Sequence, residues 1–337
     1  MSLLLPSRAV KATLWKALIA ALIVTALVPV AAAQAQNRWR EPKAINIAHQ
    51  GGEDEFPSNT LYAFREAVRA GADMLELDVG VTKDNKVIVM HDTTVDGKTN
   101  GRGNVSSLTL RQIKKLDAAF WFAPRADEHY GHELPRRAYR FRGIATGKRK
   151  PPKGYRAADF RVPTLAEVMR AFPHTPINVE IKGRTPDEET AEYVQNAEVL
   201  AGLLKKTKRR DLIVVSFQQA AVDRFHELVP RIDLAPGIAG ASVWILGGAS
   251  PGPGVVAFQV PITFALSGQL LKITTKENVA RAHAQGYAWQ NWFSSDDRDY
   301  APSWRRLVDM CVDGIMTSQP AALERVLRRK RVPADCR

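Results

Sequence analysis

Cysteine is nearly absent from this sequence: Cys311 and Cys336 are the only two in 337 residues. Their spacing fits no thiolate metal site, which excludes a cysteine-built zinc or iron–sulfur centre. The pair forms either a disulfide tying down the C-terminal tail or two free thiols. No repeat of 20–50 residues is present, so solenoids and propellers are excluded. No motif with groove-docking geometry is found, which removes nucleic acid as an expected partner. Hydrophobic content of 45% and charge of 25% are those of an ordinary globular chain rather than a disordered or fibrous one.

Charge is also missing from the stretch Ala17 to Asn37, which follows Arg8, Lys11 and Lys16. A basic head, an apolar middle (ALIAALIVTALVPV) and small residues at Ala31–Ala33 and Ala35 make the three parts of a secretory signal peptide. Residues 1–35 are therefore expected to be a signal peptide, with cleavage after Ala33 or Ala35, and the protein is expected to be exported. An uncleaved membrane anchor is the alternative, because the apolar run approaches spanning length. No cysteine stands at the junction to carry a lipid anchor.

What is abundant is positive charge. The net charge is +13, and eleven Lys/Arg against four Asp/Glu fall within 125–161. Such a concentration favours phosphate-bearing ligands or an anionic membrane surface.

From residue 36 onward, short apolar runs alternate with helical patterns. Strands are expected at 45–49, 74–79, 87–91, 177–181, 212–217, 233–238, 255–260, 287–293 and 314–318. Helices are expected between most of them, including one capped by Ser58 or Asn59, with Leu61, Phe64 and Val68 on one face and Gly71 at its end. The alternation predicts an α/β fold with a parallel sheet, and this many units favour a closed barrel. Only about seven residues separate LELDV from VIVMH, too few for a parallel crossover, so these two strands should form an antiparallel hairpin. One strand is thus extra to an eight-stranded barrel. Residues 117–163, rich in Arg, Lys, Pro and aromatics, read as a long basic insertion, and 237–254 as a Gly/Pro-rich loop.

The hairpin carries the first chemical signal. A turn at Lys83-Asp84 sets Glu76 opposite His91, and a turn at Asp84-Asn85 sets Asp78 there; either register puts all three on one face. His49 ends the first strand, and Glu180 and Lys182 lie at i and i+2 on NVEIK. Catalytic groups in α/β barrels come from the C-terminal ends of several strands. Three carboxylates without cysteine suit one hard divalent cation such as Mg²⁺ or Ca²⁺. Two histidines suit general acid–base work, and a lysine suits a phosphoryl oxygen.

The stretch IAHQGGEDEFPSNTLYAFREAVRAGADMLELDVGVTKDNKVIVMHD resembles the opening of the glycerophosphodiester phosphodiesterase family. The resemblance continues through PTLAEVM, NVEIK, VVSF, the Trp of YAWQN and DGIMTSQP, covering nearly all of the chain after the signal. It implies a TIM (β/α)8 barrel over 36–337 holding one divalent cation. It implies metal ligands at Glu76, Asp78 and Glu180, and an acid/base pair at His49 and His91. It further implies substrate contacts from Lys182, Gln50 and Trp289, with Trp289 at the substrate mouth or as an ordinary buried tryptophan. Gln50 stands where the family has Arg, and Ser58 where it has Glu; a positive and a negative group are absent together. Thr317-Ser318 replaces the family's Thr-Asp.

The expected activity is that of an exported, metal-dependent phosphodiesterase. It would release glycerol 3-phosphate and an alcohol from glycerophosphodiesters, or split a lysophospholipid equivalently. The competing expectations are a related barrel phospholipase, of the sphingomyelinase D or phospholipase C type, and a non-catalytic phosphate- or lipid-surface-binding protein.

Overall fold

The computed structural model describes residues 37–124, 131–266 and 268–336. The expected signal peptide lies outside them. The elements in chain order are β1 (Ile45–Ala48), α1 (Leu61–Ala70), β2 (Met74–Val81), β3 (Val87–Val89), α2 (Leu110–Ile113), α3 (Leu165–Ala171), β4 (Ile177–Ile181), α4 (Thr190–Leu204), β5 (Leu212–Val215), α5 (Gln219–Leu228) and β6 (Asp233–Leu234). There follow α6 (Ile238–Gly247), β7 (Ala257–Pro261), β8 (Thr263–Leu266), β9 (Gln269–Lys272), α7 (Lys276–Ala284), β10 (Ala288–Trp292), α8 (Ala301–Asp309), β11 (Gly314–Thr317) and α9 (Pro320–Leu327).

Eight strands run parallel in the order β6-β5-β4-β2-β1-β11-β10-β7. A single bridge, Leu234 to Val255, joins the two ends and closes the barrel. Inward positions stack in layers. Ile47, Met74, Ile213, Ala257, Ala288 and Met316 pack with Trp39, whose indole N–H donates to Asp233 Oδ2 at 2.6 Å. A polar chain lies within the barrel as well: Asn178 donates to Gln259 at 3.1 Å, and Gln259 donates to Gln290 at 2.9 Å. Outward positions pack against the helices, around Leu75, Leu77, Val179 and Phe225 on one side and Phe258, Trp289 and Leu307 on the other.

The extra strand β3 pairs antiparallel with β2, but in neither expected register. Val79 faces Val89 and Val81 faces Val87. The Thr82 and Lys86 main chains still bond, leaving a three-residue loop in which Asn85 adopts φ 55°. A turn followed by a left-handed residue is a regular way to make a loop of this length. Continued to His91, that register would set it opposite Leu77, but β3 ends at Val89 and the chain departs from the sheet. His91 reaches the barrel mouth from the loop rather than from a strand.

Other details also differ from expectation. Thr60, not Ser58 or Asn59, caps α1, accepting from the Ala63 amide at 3.1 Å. Tyr62, Ala63, Phe64 and Ala67 form its buried face, leaving Val68 partly exposed. The 237–254 segment contains the ten-residue helix α6, and β8–β9 form an unforeseen hairpin. The described part of 117–163 folds onto α1: Tyr62 stacks on Phe160 at 4.6 Å beside Phe122, Phe141 and Tyr155. The Arg142 guanidinium lies 3.9 Å from the Tyr139 ring centre. Arg140, 5.6 Å from the Phe141 ring centre, and Arg142 are thus set against an aromatic lobe. Cys311 and Cys336 form a disulfide.

Candidate active site

Glu76 and Asp78 lie two apart on β2 and point into the barrel, where Asp78 is registered beside Glu180 of β4. Oxygens of Glu76, Asp78 and Glu180 all lie within 4.8 Å of one another. Lys182, just past β4, donates to Glu180 Oε1 at 2.7 Å and lies 3.2 Å from Asp78 Oδ1. Its backbone is pinned by Asn196, whose amide donates to the Lys182 carbonyl at 2.8 Å. Asn59, at φ 56°, donates to Asp78 Oδ2 at 2.9 Å.

The turn after β1 supplies His49. Its Nε2 stands 3.9 Å from Glu76 Oε2, and its Nδ1 meets the carboxylate of Glu53. The turn needs glycine. Gly51 and Gly52 have φ 80° and 91°, and a Cβ on Gly52 would lie 2.7 Å from Pro320. Gln50, also left-handed at φ 49°, donates its main-chain N–H to Glu76 Oε2 at 2.7 Å. His91 sits across the site with Nδ1 2.8 Å from Asp92.

The electrostatics follow from crowding. Burial, then the charges of Asp78 and Glu180, push Glu76 well above the usual carboxylate range. Burial acts the same way on Asp78, but Lys182, His91 and His49 outweigh it and hold Asp78 down to about 2. Burial disfavours the His49 cation, yet Glu53 and Glu76 raise its pKa to about 10. A desolvated carboxylate cluster whose mutual repulsion disfavours ionisation of one member is a receptor for a cation, which would relieve that repulsion. An all-oxygen donor set selects a hard divalent ion. The three carboxylates thus fit the metal-ligand role, with no ion identity fixed by the donors alone.

Above the cluster opens a cavity of about 690 Å³ whose polar floor includes His49, His91, Glu180 and Lys182. One wall is apolar, built by Phe217, Ile238, Ile245, Phe264 and Trp292. Phe217 and Trp292 stack with centres 5.6 Å apart, and Lys182 Nζ lies 5.5 Å from the Phe217 ring centre.

Six of the eight expected site residues converge here, and two do not. Trp289 is fully buried, packs on Phe258 and Trp244, and donates to Thr274 at 3.1 Å. Strand alternation turns it outward toward the helices, whereas Trp292, three positions on, faces the cavity. Gln50 is buried and absent from the cavity wall; its contribution is the main-chain bond to Glu76. Sequence reasoning missed Glu53, Phe217, Trp292 and Asp299. Glu53 is one helical turn from His49, a signal that was available. Asp299 borders the cavity and accepts from the Ser318 amide at 2.8 Å and hydroxyl at 2.6 Å, and from the Thr317 hydroxyl at 2.9 Å. A carboxylate thus does reach the Thr317-Ser318 corner, brought there from the loop after β10.

A model of the glycerophosphoryl diester phosphodiesterase family matches residues 49–322. A glycerophosphodiester phosphodiesterase of Bacillus subtilis (strain 168) is 29% identical over 306 residues, covering 88% of this chain and 91% of that protein. The Homo sapiens protein named Lysophospholipase D GDPD1 is 36% identical over 141 residues, 41% of this chain and 36% of that protein. Among solved structures, a glycerophosphodiester phosphodiesterase from Agrobacterium tumefaciens str. C58 superposes with TM-score 0.54 at 20% identity, covering 83% of this chain and 99% of that one. An Oleispira antarctica phosphodiesterase in complex with the product sn-glycerol-3-phosphate gives TM-score 0.59 at 18% identity, covering 85% and 97%.

Proposed function

The chain belongs to the glycerophosphoryl diester phosphodiesterase family of phosphoric diester hydrolases, and we propose that it is an exported, metal-dependent member acting on glycerophosphodiesters, including those that keep one acyl chain. The observation that carries this is the convergence of His49, His91, Glu180 and Lys182 on one cavity floor, with the buried carboxylates of Glu76 and Asp78 clustered against Glu180. The apolar wall supports an acyl-bearing substrate, in line with the name of the human relative. The product bound in the Oleispira antarctica structure supports glycerol 3-phosphate as the common product. The Cys311–Cys336 disulfide supports an oxidising compartment, and so export.

Glu76, Asp78 and Glu180 would hold one divalent cation, Mg²⁺ or Ca²⁺. When bound, such an ion supplies Lewis-acid neutralisation of a phosphoryl oxygen. Lys182 adds a fixed positive charge beside that position, offsetting charge that grows on the non-bridging oxygens as the attacking oxygen bonds to phosphorus. One histidine removes the proton from the attacking oxygen, and the other protonates the leaving alcohol as its bond to phosphorus breaks. Glu53 fixes the His49 ring, and Asp92 does the same for His91.

The test is hydrolysis of glycerophosphocholine, glycerophosphoethanolamine and lysophosphatidylcholine, with and without EDTA, by the wild type, His49→Ala and Glu76→Ala. Activity lost in both variants, and lost to EDTA but restored by Mg²⁺ or Ca²⁺, is expected. A folded wild type inactive on the whole panel with every divalent metal would sink the reading.

A further inference from the structure

Helix α6 has an unusual composition for its position. Ile238–Gly247 reads IAGASVWILG, with Ser242 its one polar side chain, and carries no charge. A helix of that kind normally lies inside a protein core or a lipid phase. Here only Gly240 and Trp244 are buried. One flank, with Ile238, Ala241 and Ile245, lines the cavity. Other side chains face outward: Val243 is 48% and Leu246 70% exposed. On the β8–β9 hairpin, whose Phe264 also lines the cavity, Leu270 is 57% exposed. Across residues 234–275 the only charged side chain is Lys272, a cation. The chain therefore concentrates exposed aliphatic groups, and withholds acidic ones, at one stretch of the cavity's rim.

We infer that this rim, formed by α6 and the β8–β9 hairpin, is an interfacial docking surface that seats in a phospholipid layer and aligns the cavity mouth with it. Continuity selects the occupant. The same helix that presents Val243 and Leu246 outward forms the cavity wall with its other flank, so whatever covers the rim adjoins the route to the floor. A protein seated there would obstruct that route, whereas a lipid layer supplies molecules along it. An acyl chain leaving the layer would pass from one apolar medium to another without crossing water. The basic segment 117–163, whose charge favours phosphate-bearing ligands or an anionic membrane surface, contributes none of the described cavity lining. The inference rests on the acyl-bearing substrate class proposed above.

Two measurements test it on the full chain. Amide hydrogen exchange with and without phosphatidylcholine vesicles should show protection confined to 238–247 and 263–272, with α7 unchanged. The triple variant Val243→Ser, Leu246→Ser, Leu270→Ser lies outside the cavity wall. It should lose roughly tenfold or more in turnover of micellar lysophosphatidylcholine, since three exposed aliphatic groups no longer enter lipid. Its turnover of water-soluble glycerophosphocholine should stay within about twofold of the wild type. Equal turnover by variant and wild type on micelles, or no vesicle protection of the rim, would overturn the inference. So would rim protection that appears without lipid and grows with protein concentration, which indicates a second copy. A wild type inactive on glycerophosphocholine would instead fail the hydrolase reading, leaving the exchange pattern to decide the rim by itself.

Discussion

The carboxylate of Glu53 receives the Nδ1 proton of His49, which leaves Nε2 directed toward Glu76 at 3.9 Å. One side chain thereby sets the tilt of the ring to which the proposed function gives proton transfer. Glu53→Ala should lower kcat on the order of tenfold or more, part of the hundredfold or greater contribution typical of a positioned acid or base. KM should change little. Glu53→Gln, which keeps an acceptor, should recover a portion of the loss. Equal effects on kcat and KM in both variants would reduce Glu53 to a structural residue.

Lys182 is shared between the buried carboxylates of Asp78 and Glu180. Lys182→Met removes one partner of a buried charge network, an act that typically costs about 3–5 kcal/mol. The variant should unfold at a markedly lower temperature in EDTA, and added Mg²⁺ or Ca²⁺ should raise its midpoint more than it raises the wild type's. Identical metal-induced shifts in both proteins would argue that no cation enters the cluster.

Two tryptophans three positions apart should respond oppositely to truncation. Trp289→Ala empties a packed site and should cost about 3–5 kcal/mol of stability. Trp292→Ala, which removes the stack on Phe217, should leave unfolding nearly unchanged. It should raise KM for acyl-bearing substrates several-fold, as expected for losing one aromatic contact worth about 0.5–1.5 kcal/mol. Paired thermal melts and steady-state kinetics separate the two.

Glu167 offers a pH test remote from the metal ligands. Burial would raise its pKa, but the Lys114 ammonium at 2.6 Å and the Thr164 amide at 2.7 Å outweigh that and lower it below the ordinary 4.5. A depressed carboxyl pKa contributes stability that is present above 4.5 and lost as pH falls through the folded-state value. Glu167→Gln should therefore destabilise by about 1 kcal/mol at pH 7, the usual worth of a helix cap. The gap to the wild type should close in acid, as read from denaturant unfolding at pH 7 and pH 3. A gap independent of pH would mean that charge plays no part.

The strand–helix rhythm made the barrel legible because parallel strands, covered on both faces, must be apolar in unbroken runs. All nine expected strands form, and the carboxylates and histidines assemble as the motif spacing implied. The failures have different physical causes. A three-residue loop shifted the hairpin by half a step, placing His91 through a loop. On β10 the motif pointed to Trp289, while alternation assigns the cavity to Trp292. Gly/Pro composition read as a loop at 237–254, yet six glycines leave room for a helix whose Gly240 packs within 2.8 Å of the Pro251 carbonyl, measured from the position its Cβ would take. Asp299 was invisible because its partners, Thr317 and Ser318, are remote from it in sequence.

The lone bridge between Leu234 and Val255 divides the barrel mechanically. On one side, five registered pairs between β2 and β4 hold the acidic ligands in a stiff frame. On the other, a two-residue strand meets its neighbour through only two main-chain bonds, Leu234 N to Gly254 O at 3.0 Å and Val256 N to Leu234 O at 2.9 Å. Deformation concentrates where pairing is thinnest, and this seam lies beside α6 and its apolar flank. The carboxylate cluster thus sits on the densely paired side of the barrel and the apolar cavity wall beside the thinly paired one, so local opening is expected at the Leu234–Val255 seam before it reaches β2 and β4.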